Sequence, residues 1–299
     1  MYNIIGTRKI WFAISGILVA ASIVFLSMGG LKLGIDFNGG SLLQVKFEGD
    51  RPTIQDIQGN LQGFDLGELV VQPVKDQEVL IRMKTIENSQ REEILVSLNE
   101  KFGAVEEISF ESIGPTIGKE LRQKSIIALL IVMGAIIVYL SWAFRKISGG
   151  PVPAYVFGIC AIIALAHDII IVTGVFAALG YFLDVQVDAL FVTALLTILG
   201  FSVHDTIVVY DRIRERLIKF SNNDFETSIN IAINETIVRS INTSFTTLLV
   251  LVALYLFGGE SIKFFVLALI IGIVVGTYSS IFVASPFLLI WQKYISKRK

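Results

Sequence analysis

The chain has 299 residues, of which 54% are hydrophobic and 17% are charged, and its formal net charge is −1. An ordinary globular domain has about 25% charged residues, and a mean hydropathy of +0.70 indicates more apolar surface than one soluble core can bury. The composition excludes a soluble enzyme, a disordered chain and a nucleic-acid-binding protein, and it predicts a membrane protein.

Six apolar stretches are long enough to cross a bilayer, which takes about 20 residues in a helix. They cover residues 10–31, 126–144, 154–182, 189–210, 240–257 and 264–290. The first stretch follows Arg8 and Lys9, as a signal peptide would. Its apolar run is longer than a signal-peptide core, and Leu31-Lys32-Leu33 offers no small-residue cleavage site. We therefore predict an α-helical membrane protein with six transmembrane helices, the first of them uncleaved.

Lysine and arginine are concentrated in alternate connections, and short loops that carry them usually lie in the cytoplasm. The basic residues near helix ends are Arg8, Lys9, Arg145, Lys146, Arg212, Arg214, Arg216, Lys219, Arg239, Lys293, Lys297, Arg298 and Lys299. Residues 180–188 contain none, and residues 258–263 contain only Lys263. Both termini are therefore predicted to be cytoplasmic, which places the long segment 32–124 on the extracytoplasmic side.

The outer segment is predicted to form one α+β domain between the first two membrane helices. Alternating apolar residues indicate strands at 41–47, 69–74, 78–86 and 105–113. Helical patterns cover 54–61 and 89–102. The order β-α-β-β-α-β is the ferredoxin-like arrangement, and the charged residues indicate a solvated face, with a protein-binding surface as the alternative. The predicted parts are thus residues 1–31, the domain 32–124, and the bundle 125–299 with a cytoplasmic loop at 211–238 and a basic tail.

Ionisable residues inside the apolar stretches are costly and point to function. His167-Asp168 lies in the third stretch, His204-Asp205 in the fourth, and Arg239 at the inner start of the fifth. Asp205 lies about 8 Å from the inner end of its helix, so Arg239 is expected to meet it at a similar depth. Protonation of Asp205 would then release Arg239 and move one helix against another.

A purely structural role is an alternative for each of these ionisable residues. Asp205 could belong to a static ion pair, and Arg239 could be a snorkelling anchor at the membrane surface. Asp168 could be a relay partner or a hydrogen bonder to a neighbouring helix, and His204 could be bonded within the bundle.

Catalytic and metal-binding constellations are not expected. Ser202 and His204 lie about 200° apart around their helix, so with Asp205 they form no hydrolase triad. The sequence has no P-loop, dinucleotide-binding glycine pattern or zinc-protease motif. A single cysteine, Cys160, and two histidines leave little to bind a metal. We expect neither an enzyme nor a bound cofactor.

Paired glycines mark close packing or turns. Gly39-Gly40 and Gly258-Gly259 are predicted to form tight turns, because glycine accepts positive φ. Gly272 and Gly276 form a G-x-x-x-G pattern, which allows two membrane helices to approach closely.

Several motifs together resemble the SecF members of the SecD–SecF family of bacterial protein export. They are Gly34-Ile-Asp-Phe-Asn-Gly-Gly40, Ala166-His-Asp168, Gly200-Phe-Ser-Val-His-Asp-Thr-Ile-Val-Val-Tyr-Asp-Arg-Ile-Arg-Glu215, Arg239-Ser-Ile-Asn-Thr-Ser244 and Leu254-Tyr-Leu-Phe-Gly-Gly259. The resemblance covers nearly the whole chain. It implies half of an RND-type transporter core with a ferredoxin-like outer domain, in the bacterial inner membrane.

The resemblance also implies function, partners and site residues. It implies a heterodimer with SecD, contact with the SecYEG channel and SecA, further partners YajC and YidC, and use of the proton gradient to draw preproteins outward. The proton-linked residues would be Asp205 and Arg239, with Asp168 alongside them. His204 and His167 would modulate the proton path, although the family often has Asn or Gly at position 204. The family motif turns would contain Asp36, Gly39, Gly40, Gly258 and Gly259.

Two other functions are compatible with six such helices. The first is half of an RND-type proton-coupled exporter of lipids or small molecules. The second is a membrane scaffold without ion coupling, which would have no need of the buried carboxylates Asp168 and Asp205.

Overall fold

The computed structural model describes residues 2–74, 77–145, 152–219 and 224–296. The chain divides into two compact units. One unit is Leu33–Ile126, and the other combines Met1–Lys32 with Ile127–Lys299.

The unit Leu33–Ile126 has the predicted ferredoxin-like topology. Its elements are α2 (Ile35–Asn38), β1 (Gly40–Phe47), α3 (Ile54–Leu61), β2 (Val70–Pro73), β3 (Glu78–Met83), α4 (Asn88–Phe102) and β4 (Val105–Ile113). The four strands form one sheet in the order β2-β3-β1-β4, and every pair is antiparallel. The predicted α+β class is thus confirmed, and α2 is a short additional helix that the sequence pattern does not indicate.

Alternation along the strands explains how this sheet acquires a core. The buried side chains on one face of β1 are Leu43, Val45 and Phe47. They belong to the same apolar cluster as Ile57 of α3 and Ile94 of α4. Both helices therefore cover the same side of the sheet. The side chain of Thr53 caps α3 by accepting a 3.2 Å hydrogen bond from the Asp56 amide.

The other unit is a helix bundle that continues from the first helix of the chain. Its helices are α1 (Arg8–Met28), the part of α5 (Pro115–Ala143) that follows Ile126, α6 (Ala154–Leu183), α7 (Ala189–Lys219), α8 (Phe225–Phe257), α9 (Glu260–Ser279) and α10 (Ser285–Ser296). A π-helical segment, Ser280–Ala284, joins α9 to α10. Counting α9 to α10 as one span, six helices of the described chain are long and apolar enough to cross a membrane. The prediction of six spans is confirmed.

Residues 211–238, predicted to be a cytoplasmic loop with one amphipathic helix, are helical at every described position except Asp224. Helix α7 runs on to Lys219, and α8 begins at Phe225 without a break before its apolar part. Glu235 joins the two extensions through ion pairs with Arg212 and Arg216. Ile229 and Ile233 bury the apolar face of α8 within the bundle's own core. The amphipathic pattern therefore reflects packing inside the protein and not a separate surface helix.

The two glycine pairs differ in backbone conformation. Gly39 has φ +79° and Gly40 has φ +136°, and a Cβ at Gly39 would lie 2.7 Å from the Pro115 Cα. The predicted turn with positive φ thus exists there, and Asp36 lies in the short helix just before it. Gly258 and Gly259 form the short connection between α8 and α9, but they have φ −74° and −71°, so the positive φ predicted for this second pair is wrong. Gly258 is instead packed against the carbonyl oxygen of Leu254.

Candidate functional site

Four consecutive polar residues, the last three of α9 and the first of the π-helical segment, contact four different helices. Thr277 shares a hydrogen bond with Ser244 of α8, and Tyr278 donates a 2.8 Å bond to the carbonyl oxygen of Trp11 in α1. Ser279 donates to Asp168 of α6 at 2.8 Å. Ser280 donates to Asp205 of α7. We call Thr277, Tyr278, Ser279 and Ser280 the hydroxyl run.

Asp168 is the more extensively bonded of the two buried carboxylates. Its residue is 0% exposed. The carboxylate accepts hydrogen bonds from Ser202 at 2.6 Å and Ser279 at 2.8 Å. His167 Nδ1 lies 2.9 Å from the other oxygen. Polar groups from α6, α7 and α9 therefore meet at one carboxylate deep in the bundle.

His167 faces the hydroxyl run. Its ring lies against Tyr278 with the ring centroids 6.2 Å apart. Its Nε2 is buried and has no hydrogen-bond partner among the described residues. One nitrogen of the imidazole therefore contacts Asp168, and the hydrogen-bonding capacity of the other is unused among the described residues.

Asp205 is almost as deeply buried, at 7% exposure, but it has fewer partners. Ser280 donates to its Oδ2. The buried Ser240 hydroxyl approaches the same carboxylate without regular hydrogen-bond geometry. Within the described ranges, no lysine or arginine forms an ion pair with Asp205.

The predicted pair between Asp205 and Arg239 is therefore not formed in this structure. Arg239 is exposed, and it lies at a polar cavity of about 380 Å³ between α7 and α8. Successive helical residues point about 100° apart, so Arg239 is turned away from the carboxylate that its neighbour Ser240 faces. The other residues that line the cavity are Val208, Asp211, Arg212, Glu215, Glu235 and Thr236.

His204 is directed away from the bundle as well. It is exposed and makes no hydrogen bond with the part of the chain that the structure describes. The buried hydrogen-bonded position that was one alternative for this histidine is thus not observed. His204 is available at the surface of α7, one residue from Asp205.

The serines that hold both carboxylates are the site residues that sequence reasoning missed. Ser279 and Ser280 have the small size expected of a helix-packing face, and Ser202 stands out in the sequence only as a possible member of a hydrolase triad. The available signal was the run Thr277-Tyr-Ser-Ser280, four hydroxyl residues in succession within an otherwise apolar span.

The side chains of this network are of the kinds that can bind and release protons. It contains two carboxylates, an imidazole and several hydroxyls inside a helix bundle. Over the described ranges, no group of three or more His, Cys, Asp and Glu side chains could hold a metal ion. Carboxylates and histidines buried among membrane helices mark ion pathways and proton relays.

Fold and site together define a multi-pass membrane protein with a ferredoxin-like domain and buried carboxylates in its helix bundle. Residues 94–294 match the family described as Protein export membrane protein SecD/SecF, C-terminal. Residues 24–50 match the SecD/SecF GG Motif, which includes Gly39 and Gly40. The chain belongs to the SecD/SecF protein export family.

Relatives and solved structures show which members of this family the chain is similar to. The Protein translocase subunit SecF of Thermobaculum terrenum is 44% identical over 305 residues, covering 98% of this chain and 94% of the relative. The crystal structure of SecDF, a translocon-associated membrane protein from Thermus thermophilus, matches with a TM-score of 0.85 and 32% identity. SecDF in a super-membrane-facing form matches with a TM-score of 0.71 and 30% identity. The two structural matches cover 98% and 99% of this chain, but this chain spans only 39% of the length of either SecDF chain.

Proposed function

We propose that this chain is a SecF-like subunit of the Sec translocase that uses the proton motive force, together with SecD, to promote preprotein export through SecYEG. Its similarity to proteins named translocase subunit SecF supports this role. The chain corresponds to 39% of SecDF, so a SecD partner would supply the rest. An exporter of lipids or small molecules is the less favoured alternative, and no catalytic role is proposed.

The observation that carries the proposal is the position of Asp205. It is buried in a membrane helix, and it has one regular hydrogen bond, from Ser280, and no cation as a partner among the described residues. A carboxylate held this loosely can take up and release a proton with little rearrangement. We propose Asp205 as the proton-coupling residue and Arg239, at the mouth of the polar cavity, as its switchable counter-ion.

The other candidate residues have supporting roles in this proposal. Asp168 and His167 would anchor the network, since Asp168 has hydrogen bonds from two serines in addition to its contact with His167. His204 would tune proton access from the surface of α7. Gly39 and Gly40 would shape the junction where the chain enters the outer domain.

We propose the inner membrane of a bacterium as the location, with both termini in the cytoplasm and the ferredoxin-like domain outside. Lysine and arginine distribution supports this orientation. Glu226 supports the placement of both termini on one side, because it pairs with Arg8 at 2.9 Å and with Lys293 at 2.7 Å. These contacts bring the start of α1, the start of α8 and the end of α10 to one end of the bundle. SecA, YajC and YidC are proposed as further partners on the strength of the family resemblance.

The test is preprotein translocation into inverted membrane vesicles that contain this chain and its SecD partner. Translocation is measured at fixed ATP, with and without an uncoupler. Asp205→Asn should abolish the uncoupler-sensitive part and leave the ATP-dependent part, because the carboxamide cannot carry the proton. Asp224→Asn is the matched control, since Asp224 is exposed and caps no helix with its side chain. If Asp205→Asn retains the uncoupler-sensitive part, Asp205 is outside the coupling path and the proposal fails.

A further inference from the structure

The last membrane helix changes its winding at the site. Residues Ser280–Ala284 form a π-helical turn between α9 and α10. A π turn contains one more residue than an α turn, is rare, and is frequently found at functional sites. Side-chain hydroxyls bond three carbonyl oxygens in or next to it: Ser280 to Thr277 at 3.0 Å, Ser285 to Ser280 at 3.0 Å, and Tyr210 to Ala284 at 3.1 Å. The widened turn is thus supported by specific side chains.

Ser280 begins this turn, and its hydroxyl has two acceptors but only one proton. One acceptor is Asp205 Oδ2, and the other is the Thr277 carbonyl oxygen at 3.0 Å. An ionised Asp205 attracts the proton of Ser280 more strongly, because bonds to charged acceptors are stronger. A protonated Asp205 becomes a donor to Ser280 Oγ, and the proton of Ser280 then turns to Thr277. The acceptor that Ser280 uses therefore depends on the charge of Asp205.

The preceding residue is held in place by a separate carboxylate. Ser279 donates to Asp168, which is fully buried and also accepts from Ser202. Gly276, one turn earlier, lies against Ser202, because a Cβ there would come within 2.9 Å of the serine's Cβ. Helix α9 is therefore anchored up to Ser279, and a change at Ser280 would be transmitted toward α10.

We propose that Ser280 is a positioning residue that transmits the protonation of Asp205 to the π turn and so to α10. This inference rests on the proposed role of Asp205 as the proton-coupling residue. Rewinding the π turn as α-helix removes one residue from it, which would shift α10 by about 1.5 Å and rotate it by about 100°. Such a register change converts a local proton transfer into a movement of a whole helix end.

The other ionisable groups near the network lie on four of the helices that pack here. They are His167 and Asp168 on α6, His204 and Tyr210 on α7, Arg239 on α8 and Tyr278 on α9. Within the described ranges, none of these groups besides Asp205 bonds Ser280. The proposed link is therefore specific to one pair of side chains.

The first test compares variants at Ser280 in the vesicle assay. Ser280→Ala removes the hydroxyl and should lower uncoupler-sensitive translocation by about tenfold, the effect of losing a charge-assisted hydrogen bond. Ser280→Thr retains a hydroxyl and should restore most of it, while ATP-dependent translocation stays unchanged in both. Ser261→Ala, at an exposed position near the start of α9, is the control. Full uncoupler-sensitive translocation in Ser280→Ala would overturn the proposal.

The second test measures the movement of α10 independently of transport. Ile290 is 42% exposed and adjoins Leu289, which is buried, so a rotation would exchange their environments. In a Cys160→Ala background, the alkylation rate of the Ile290→Cys thiol should change several-fold on adding Asp205→Asn, whose carboxamide imitates the uncharged acid. The change should vanish when Ser280→Ala is also present.

The outcomes of the two tests separate this inference from the proposed function. The role of Ser280 is overturned if Asp205→Asn leaves the alkylation rate unchanged. It is also overturned if Asp205→Asn changes that rate equally with and without Ser280→Ala. A Ser280-dependent change in alkylation, in a chain whose translocation ignores Asp205→Asn, supports the link between Asp205 and α10. In that case it is the proposed function that fails.

Discussion

The two buried carboxylates differ in how many accepted hydrogen bonds would be weakened if they were protonated. Asp168 accepts from Ser202 and Ser279 and contacts His167. Asp205 has one regular donor, Ser280. Leaving buried donors unpaired is expensive, so Asp168 suits a fixed anchor and Asp205 suits a group that changes its protonation in each cycle. The number of hydrogen-bond donors thus separates two carboxylates that look equivalent in the sequence.

The anchoring role of Asp168 predicts that its serine donors contribute to stability. Ser202→Ala should destabilise the bundle by about 1–3 kcal/mol, because a buried charged acceptor loses a donor. The measurement is the thermal unfolding midpoint of the purified protein in detergent. Ser27→Ala is the control, since Ser27 is exposed and donates only to the Val24 carbonyl of its own helix. Equal midpoints for the two variants would contradict the anchoring role.

At the scale of helices, glycines determine which neighbours come close together. Gly174 of α6 lies so close to Ser22 of α1 that a Cβ would come within 2.5 Å of the serine's Cα. Gly272 and Gly276 of α9 face Ile198 and Ser202 of α7 in the same way. Small residues are a main source of helix association in membranes, where the hydrophobic effect between helices is weak. The hydroxyl run can reach Asp168 and Asp205 because these backbones approach so closely.

Filling the α1–α6 contact should therefore be costly. Gly174→Ala should destabilise the protein by about 1–3 kcal/mol, the usual cost of overpacking, visible as a lower unfolding midpoint in detergent. Gly134→Ala in α5 is the matched control, because nothing lies within 4 Å of a Cβ there. That variant should be neutral or more stable by up to about 1 kcal/mol, since alanine favours a helix. A midpoint for Gly174→Ala as high as that of Gly134→Ala would refute the close contact.

Some elements were predictable from sequence because their pattern is local. The alternation in β1 and the turn residues around β2 and β3 are sufficient for the β-α-β-β-α-β order, and α3 has the predicted bounds Ile54–Leu61. Partners across helices depend on the rotation of each helix about its axis, which a linear pattern does not specify. For this reason the Asp205–Arg239 pair was expected and the contacts of Ser279 and Ser280 were missed.

At the scale of the whole bundle, separate contacts tie each end of the first helix to later parts of the chain. Asn230 and Asn234 of α8 bind the backbone of Tyr2, next to the ion pairs of Glu226 with Arg8 and Lys293. Beyond the other end of α1, Lys32 forms an ion pair with Asp184. The carbonyl oxygen of Lys32 also accepts a 2.8 Å hydrogen bond from the Val187 amide. The bundle therefore has a basic end near the termini and an opposite end at the connection between α6 and α7.

This polarity predicts which side of the membrane each segment faces. Ser89→Cys, exposed in the ferredoxin-like domain, should react with a membrane-impermeant maleimide in spheroplasts, whereas Thr227→Cys, exposed near the start of α8, should react only after permeabilisation. The native thiol adds little background, because Cys160 is buried. The basic residues of α7 and α8 are the reason for expecting this orientation, since short connections rich in Lys and Arg usually stay in the cytoplasm. Labelling of Thr227→Cys in intact spheroplasts would show the reverse orientation and would place the polar cavity at Arg239 on the outer side.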